Sequence, residues 1–305
     1  VAVGVADVTT RGVIVIRSRP LAAASLAVLL GVAASPAGAQ SPTAPASCPP
    51  ITTSAPAASF DPADQPDLTV FAAASLSNAF EDLVPLWKAA HPGSDLALAF
   101  DASSALRAQV EEGAPADVLA SADTRNAQAL VDACLAPGPI TPFAGNSLVV
   151  IVPTGNPAGI GAATDLARPG VRVVAAGPDV PITRYTSAVI EHLAAGTDDP
   201  AAFIAAVTAN TVSEEDNVRA VLAKVELGEG DAAIVYATDA ASTDAVETVP
   251  IPTEADVPAT YAAVAVADAA QPALAAEFLA FLVAPEAQAV LEARGFLPVT
   301  DVAAR

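Results

Sequence analysis

The chain has 305 residues, enough for two medium domains, and 53% of it is apolar, drawn heavily from alanine with only 4% aromatic residues. A core of many small contacts is therefore expected. The 13 Lys and Arg stand against 34 Asp and Glu, a formal net charge of -21, and without a basic patch that balance excludes nucleic acid and acidic membranes as partners.

Arg17 and Arg19 precede an apolar run over 21–34, and Ala37-Gly38-Ala39 has the small-x-small character of a signal-peptidase site. The run falls short of the roughly 20 residues of a membrane span. Residues 1–39 are read as a leader including a signal peptide, so the chain is exported to the periplasm or cell envelope. Residues 40–66, rich in Pro, Ala, Ser and Thr, are read as a flexible tether. Cys48 lies in the tether and Cys134 near the end of a helical pattern. Three fates stay open for Cys48: a disulfide with Cys134, a lipid anchor, or a free thiol. Neither cysteine has histidine or cysteine neighbours, so a zinc site is unsupported.

From 67 onward, apolar runs alternate with helical patterns. Val70-Phe71-Ala72-Ala73-Ala74-Ser75 ends a strand, and Leu76, Ala79, Phe80, Leu83, Val84 and Trp87 recur at helical spacing. Ser75 is read as the N-cap of that helix, at a turn whose free N–H groups favour an anion. The arrangement repeats at residues 96–100 and Asp101-Ala102-Ser103-Ser104, where a second serine opens a helix that stops at Gly113. Two such turns at the same ends of adjacent parallel strands would face one cleft. Residues 116–123 form the next strand and turn, with Asp117 in a turn or hinge network and Asp123 an N-cap. Residues 146–153 read as one long strand, near which the chain crosses to a second unit.

In that unit, a strand over 171–175 leads through Pro181-Ile182-Thr183-Arg184-Tyr185 into a helix. A helix and short strand occupy 203–212, and Glu214-Glu215-Asp216-Asn217 opens a helix with Val218, Val221, Leu222 and Val225 on its apolar face. The strand 232–236 ends in Tyr236, placed by its position at the cleft. Residues 249–251 and 261–266 return the chain to the first unit. Two helices follow, and Phe296-Leu297-Pro298 clamps the C-terminus there. His91 and His192 have no ligand-like spacing, and neither a phosphate loop nor a dinucleotide fingerprint occurs, so no enzyme is expected.

Taken in order, the Ser75 and Ser103 turns, Gly113-Ala114-Pro115-Ala116-Asp117-Val118, Gly145-Asn146-Ser147-Leu148-Val149, Glu215-Asp216-Asn217-Val218-Arg219, residues 234–240 and Gly295-Phe296 resemble the periplasmic molybdate-binding proteins of ATP-driven importers. The resemblance implies an α/β, two-lobed periplasmic-binding-protein fold of type II, each lobe a mixed or parallel sheet flanked by helices, joined by a double-strand hinge. Residues 67–147 and 255–305 would form one lobe, and 148–254 the other. It implies an oxyanion, molybdate or tungstate, held by the Ser75 and Ser103 hydroxyls, the Ile182 and Val218 backbone N–H groups and the Tyr236 phenol, with Ser104, Arg184 and Asn217 as supplementary contacts. Neither a cofactor nor a protein-coordinated metal is implied. The implied partner is the membrane permease of an ABC importer, served by a monomer. Sulfate or phosphate binding on the same fold, and a sensory domain without a transporter, are the alternatives. Ile182 and Thr183 are larger than the small residues usual after that proline, and Arg184 is free to meet solvent, Asp179 or the ligand.

Overall fold

The computed structural model describes residues 68–298; the leader, the tether and Cys48 lie outside the described residues. In chain order, the first strands and helices are β1 (Leu68–Ala73), α1 (Ser77–Ala90), β2 (Leu96–Asp101), α2 (Ser103–Glu111), β3 (Val118–Ser121), α3 (Thr124–Asp132) and β4 (Thr141–Asn146). Next come β5 (Leu148–Pro153), β6 (Val173–Ala176), α4 (Pro181–Ala195), α5 (Pro200–Asn210), β7 (Thr211–Glu215), α6 (Val218–Glu226), β8 (Ala233–Tyr236), α7 (Ala237–Ala240) and β9 (Val246–Pro250). The chain closes with β10 (Ala259–Ala265), α8 (Pro272–Leu282) and α9 (Pro285–Ala293).

The first sheet has the order β2-β1-β3-β10-β4, with β1, β2 and β3 parallel and β10 antiparallel to both neighbours. Side chains alternate across it with period two. Val70, Ala72, Val118 and Ala120 pack into the main core with Phe80, Trp87 and Phe278. Phe71 and Leu119 face the other way, onto Leu106, Val110 and Leu130 of α2 and α3. Asp117, buried at the foot of β3, accepts from the backbone N–H groups of Thr69 and Gln271 at 2.8 Å each, which stitches β1 to the start of α8.

The second sheet is built on β5, antiparallel to both β8 and β9. β6 and β7 pair in parallel, and a bridge from Val173 to Ala232 joins them to the start of β8. The chain enters this sheet between β4 and β5 and leaves it between β9 and β10. Two connections, far apart in sequence and close in space, thus link the two sheets. The C-terminal clamp forms as expected: Gly145 and Leu297 exchange N–H donations at 2.6 and 2.8 Å, and Phe296 packs edge-on against Tyr261. Gly113 and Gly228 end α2 and α6 with φ of +90° and +72°, a backbone region that side chains disfavour.

Four local expectations are corrected. Ser75 caps nothing; it sits inside a 3-10 turn over Ala74–Leu76, whose N-cap is Ala73, and α1 starts only at Ser77. Residues 146–153 are not one strand, because Ser147 separates β4 from β5 where the chain changes sheets. Glu214 and Glu215 end β7 rather than opening α6; parallel pairing with Ala175 and Ala176 outweighs the acidic signal for a first helical turn. The strand after α5 accordingly runs to Glu215 instead of stopping at residue 212.

Candidate functional site

The C-terminal ends of β1 and β2 release the chain into two turns without regular caps. The 3-10 turn at Ala74–Leu76 and the helix α2 both begin with no side chain accepting from their first N–H groups. On the second sheet, α4 begins with Pro181 after Val180, again without a side-chain cap. Asn217 caps α6, but through the Ala220 N–H at 3.1 Å, which leaves the Val218 N–H to point elsewhere. Asp123 and Asp199 cap α3 and α5 in the same way, through the N–H groups of Asn126 and Ala202.

The 3-10 turn and the starts of α2, α4 and α6 meet in one small cavity, lined by Ala73, Ala74, Ser75, Asp101, Ala102, Ser103, Ala122, Val180, Pro181, Ile182, Asn217, Val218 and Tyr236. A helix start carries roughly half a positive charge. The starts of α2, α4 and α6 therefore set a positive field at the cavity, which favours an anion. No Lys or Arg lines the cavity.

Ser75, Ser103, Ile182, Val218 and Tyr236 all line this one cavity, as does Asn217. Ser104 and Arg184 do not. Ser104 faces a neighbouring groove. The Arg184 guanidinium lies 4.7 Å above the Tyr185 ring and 3.8 Å from Asp123, so its ionic neighbour is Asp123 rather than Asp179.

Each donor is set differently. Ser103 Oγ accepts the Ala122 backbone N–H at 3.0 Å, and since an N–H only donates, the serine's hydrogen stays available to the cavity. Ser75 Oγ lies 2.9 Å from the Tyr261 hydroxyl. Tyr236 is 1% exposed, and its hydroxyl has no hydrogen-bond partner among the described residues. Burial pushes its pKa well above the usual phenol range, so it remains a protonated donor. Asp101 is a carboxylate on the wall of an otherwise donor-rich site. Its Oδ1 accepts from the Ala102 N–H at 2.8 Å and from Asn217 Nδ2 at 3.2 Å, which ties β2 to the start of α6.

Behind the cavity, Arg219 spans the two sheets. Its Nη2 donates to Asn78 Oδ1 and its Nη1 to Ser242 Oγ, each at 2.9 Å, while Nε stands 2.8 Å from Asp239 Oδ1 in a charge contact that is not an aligned hydrogen bond. Asp239 is fully buried. Burial raises its pKa to about 7 against the pull of the arginine. Tyr261, Asn146, Ala122 and this pair escape a reading of the sequence alone: a strand tyrosine reads as core, and no spacing announces its partners. Elsewhere, His91 stacks on Trp87 and meets Glu277 at 2.9 Å, remote from the cavity lining. Cys134 is disulfide-bonded.

The profile of the family described as bacterial extracellular solute-binding protein matches residues 68–297. The chain belongs to that family. Relatives include the molybdate-binding protein ModA of Mycobacterium tuberculosis, 39% identical over 230 residues that cover 75% of this chain and 84% of that protein. The ModA of Escherichia coli is 32% identical over 243 residues, covering 77% and 90%. Among solved structures, the periplasmic molybdate-binding protein of Azotobacter vinelandii superposes with a TM-score of 0.65 at 23% identity, covering 75% of this chain and 98% of that one. The sulfate-binding protein SubI of M. tuberculosis gives 0.69 at 22%, covering 79% and 90%. These likenesses establish the two-lobed, type II architecture for this solute-binding protein.

Proposed function

We propose that this protein captures molybdate, and tungstate with it, between its two lobes and delivers the anion to the permease of an ABC importer at the cell envelope. On this reading residues 67–147 and 255–305 are the first lobe, residues 148–254 the second, and Ser75, Ser103, Ile182, Val218 and Tyr236 donate to the oxyanion. The observation that carries it is the Tyr236 hydroxyl, buried without a partner among the described residues on the wall of a small cavity where three helix starts and a 3-10 turn meet. A buried unpaired donor costs about 1–3 kcal/mol, a cost that a bound acceptor removes. A tetrahedral dianion without protons uses every donor and needs no acceptor, and neutral donors avoid the desolvation cost of buried lysines.

Identity to ModA proteins over about three quarters of the chain supports molybdate over sulfate, for which the support is likeness of fold. Isothermal titration of the purified protein with molybdate, tungstate, sulfate and phosphate at fixed salt and pH tests the choice. One-to-one binding of the first two at far lower concentrations is expected. Preference for sulfate would move the assignment to the smaller anion, and silence toward all four would sink it.

A further inference from the structure

A groove adjoins the site. It shares Val180 and Pro181 with the cavity wall and brings together Arg107, Arg125 and Arg184. Only 13 Lys and Arg occur in a chain of net charge -21, so three on one groove beside the site is a marked concentration. Arg107 is occupied by Glu111 and Asn126, at 2.5 and 3.0 Å. Arg184 is half-exposed, over the Tyr185 ring and 3.8 Å from Asp123. Arg125 is exposed and makes neither a hydrogen bond nor an ion pair among the described residues. It is the second residue of α3, and Arg184 is the fourth of α4, the end of a helix where the dipole repels a cation. No hydrogen bond or ion pair offsets that repulsion for Arg125, and a local rule broken without compensation is expected at a functional position. The acids of the groove do not cancel the arginines evenly. Asp123 is buried, and its Oδ1 accepts from Ser121 Oγ and from Asn126 N and Nδ2 at 2.9–3.0 Å. Asp179 is exposed on the same groove. A neighbouring groove sets Asp101, Asp179 and Asp216 against Arg107 alone, so a dianion is repelled there and drawn to the side of Arg125 and Arg184.

We propose that Arg125 and Arg184 form a cationic mouth to the oxyanion site, which draws an incoming dianion to the cleft and speeds its capture without touching it once bound. The proposal rests on the oxyanion reading above. The neutral donors inside hold an anion at short range, because the field of a helix start falls off within about one turn. A full charge acts over the Debye length, ~8–10 Å at physiological salt. Neither arginine lines the cavity. The mouth therefore supplies reach and the cavity supplies retention, and the association rate rather than the dissociation rate carries the effect of the two arginines.

The test is stopped-flow association of molybdate at ~20 mM and ~500 mM salt, read by protein fluorescence or, where that is silent, by kinetic calorimetry. The proteins compared are wild type, Arg125→Gln, Arg184→Gln, the double variant and Asp179→Asn, each checked for folding by thermal melting. Lys88→Gln is the charge-matched control: Lys88 pairs with Asp95 and lies about 16 Å along α1 from Ser77. At low salt each arginine variant should associate about twofold to fourfold more slowly, and the double variant about fourfold to tenfold. Asp179→Asn should associate about twofold faster. Dissociation rates should stay unchanged, the differences should vanish at high salt, and Lys88→Gln should match wild type. Unchanged association in the double variant overturns the proposal. So does an effect confined to dissociation, which would make the arginines part of the bound site, or an equal slowing in Lys88→Gln, which would assign it to net charge. If wild type binds no oxyanion, the oxyanion reading itself has failed and the mouth with it; binding at rates indifferent to these charges breaks the mouth alone.

Discussion

On the first wall of the cavity, Ser75 and Ser103 present hydroxyls whose oxygens are already engaged by Tyr261 and by the Ala122 N–H. On the second wall, Ile182 and Val218 offer first-turn backbone N–H groups, and Tyr236 offers a hydroxyl with no partner among the described residues. The first wall is satisfied within the protein and merely directed at the cavity; the second carries an unpaired donor that a ligand completes. A side-chain change on the first wall should therefore damage the protein and its binding together, whereas one at Tyr236 should separate the two.

The largest effect expected lies behind the second wall. Above pH 7, where Asp239 is ionised, Arg219→Ala would leave its buried carboxylate without its counter-charge, and it would cut the link to Asn78 on α1. Urea unfolding should show a loss of about 3–5 kcal/mol. Loss below 1 kcal/mol would mean that the second wall does not depend on the pair.

The same pair makes stability depend on pH. Asp239 keeps its proton up to about pH 7 in the folded state, against an ordinary aspartate pKa of 3.8. Between these values the folded state binds more protons than the unfolded chain, so this group's contribution falls as pH rises from about 4 to 7 and is flat above. The whole interval is worth on the order of 4 kcal/mol. Asp239→Asn should flatten that slope in melting curves recorded from pH 4 to 8; a slope that survives the change assigns it to other groups.

The contrast between the walls is tested most directly by Tyr236→Phe beside Ser103→Ala. Both should weaken molybdate binding by about 1–3 kcal/mol in calorimetry. Only Ser103→Ala should also lower the melting temperature, since it strips the acceptor from the buried Ala122 N–H. Equal melting losses in the two variants would erase the distinction drawn between the walls. The smallest effect belongs to Arg184→Ala. With a half-exposed guanidinium 3.8 Å from Asp123, both stability and affinity should change by less than about 1 kcal/mol.

Much of this architecture is legible along the chain because its signals act over a few residues. Short apolar runs mark β1, β3 and β10, helical spacing marks α1 and α6, and Gly113 and Gly228 stop their helices where only a positive φ continues the turn. A serine directly after a strand, twice, points to the cleft before any coordinates do. The same local reasoning misassigned Ser75 as a cap, because a 3-10 turn intervenes and its hydroxyl is engaged by a residue 186 positions away. It also extended a helix start into Glu214 and Glu215, which pair with β6 across 39 residues (214 minus 175).

What only the tertiary structure decided is which oxygen donates, which accepts, and which stands alone. Asn146, Thr238 and Tyr261 form a hydrogen-bonded group across separations of 92 and 115 residues. Ala122, an ordinary turn alanine, orients Ser103 through its backbone. Hydrogen-bond polarity depends on all the neighbours of an atom in space, and those neighbours arrive from both ends of the chain and from both sheets. Residue types and their spacing supply the donors; packing of the two sheets aims them.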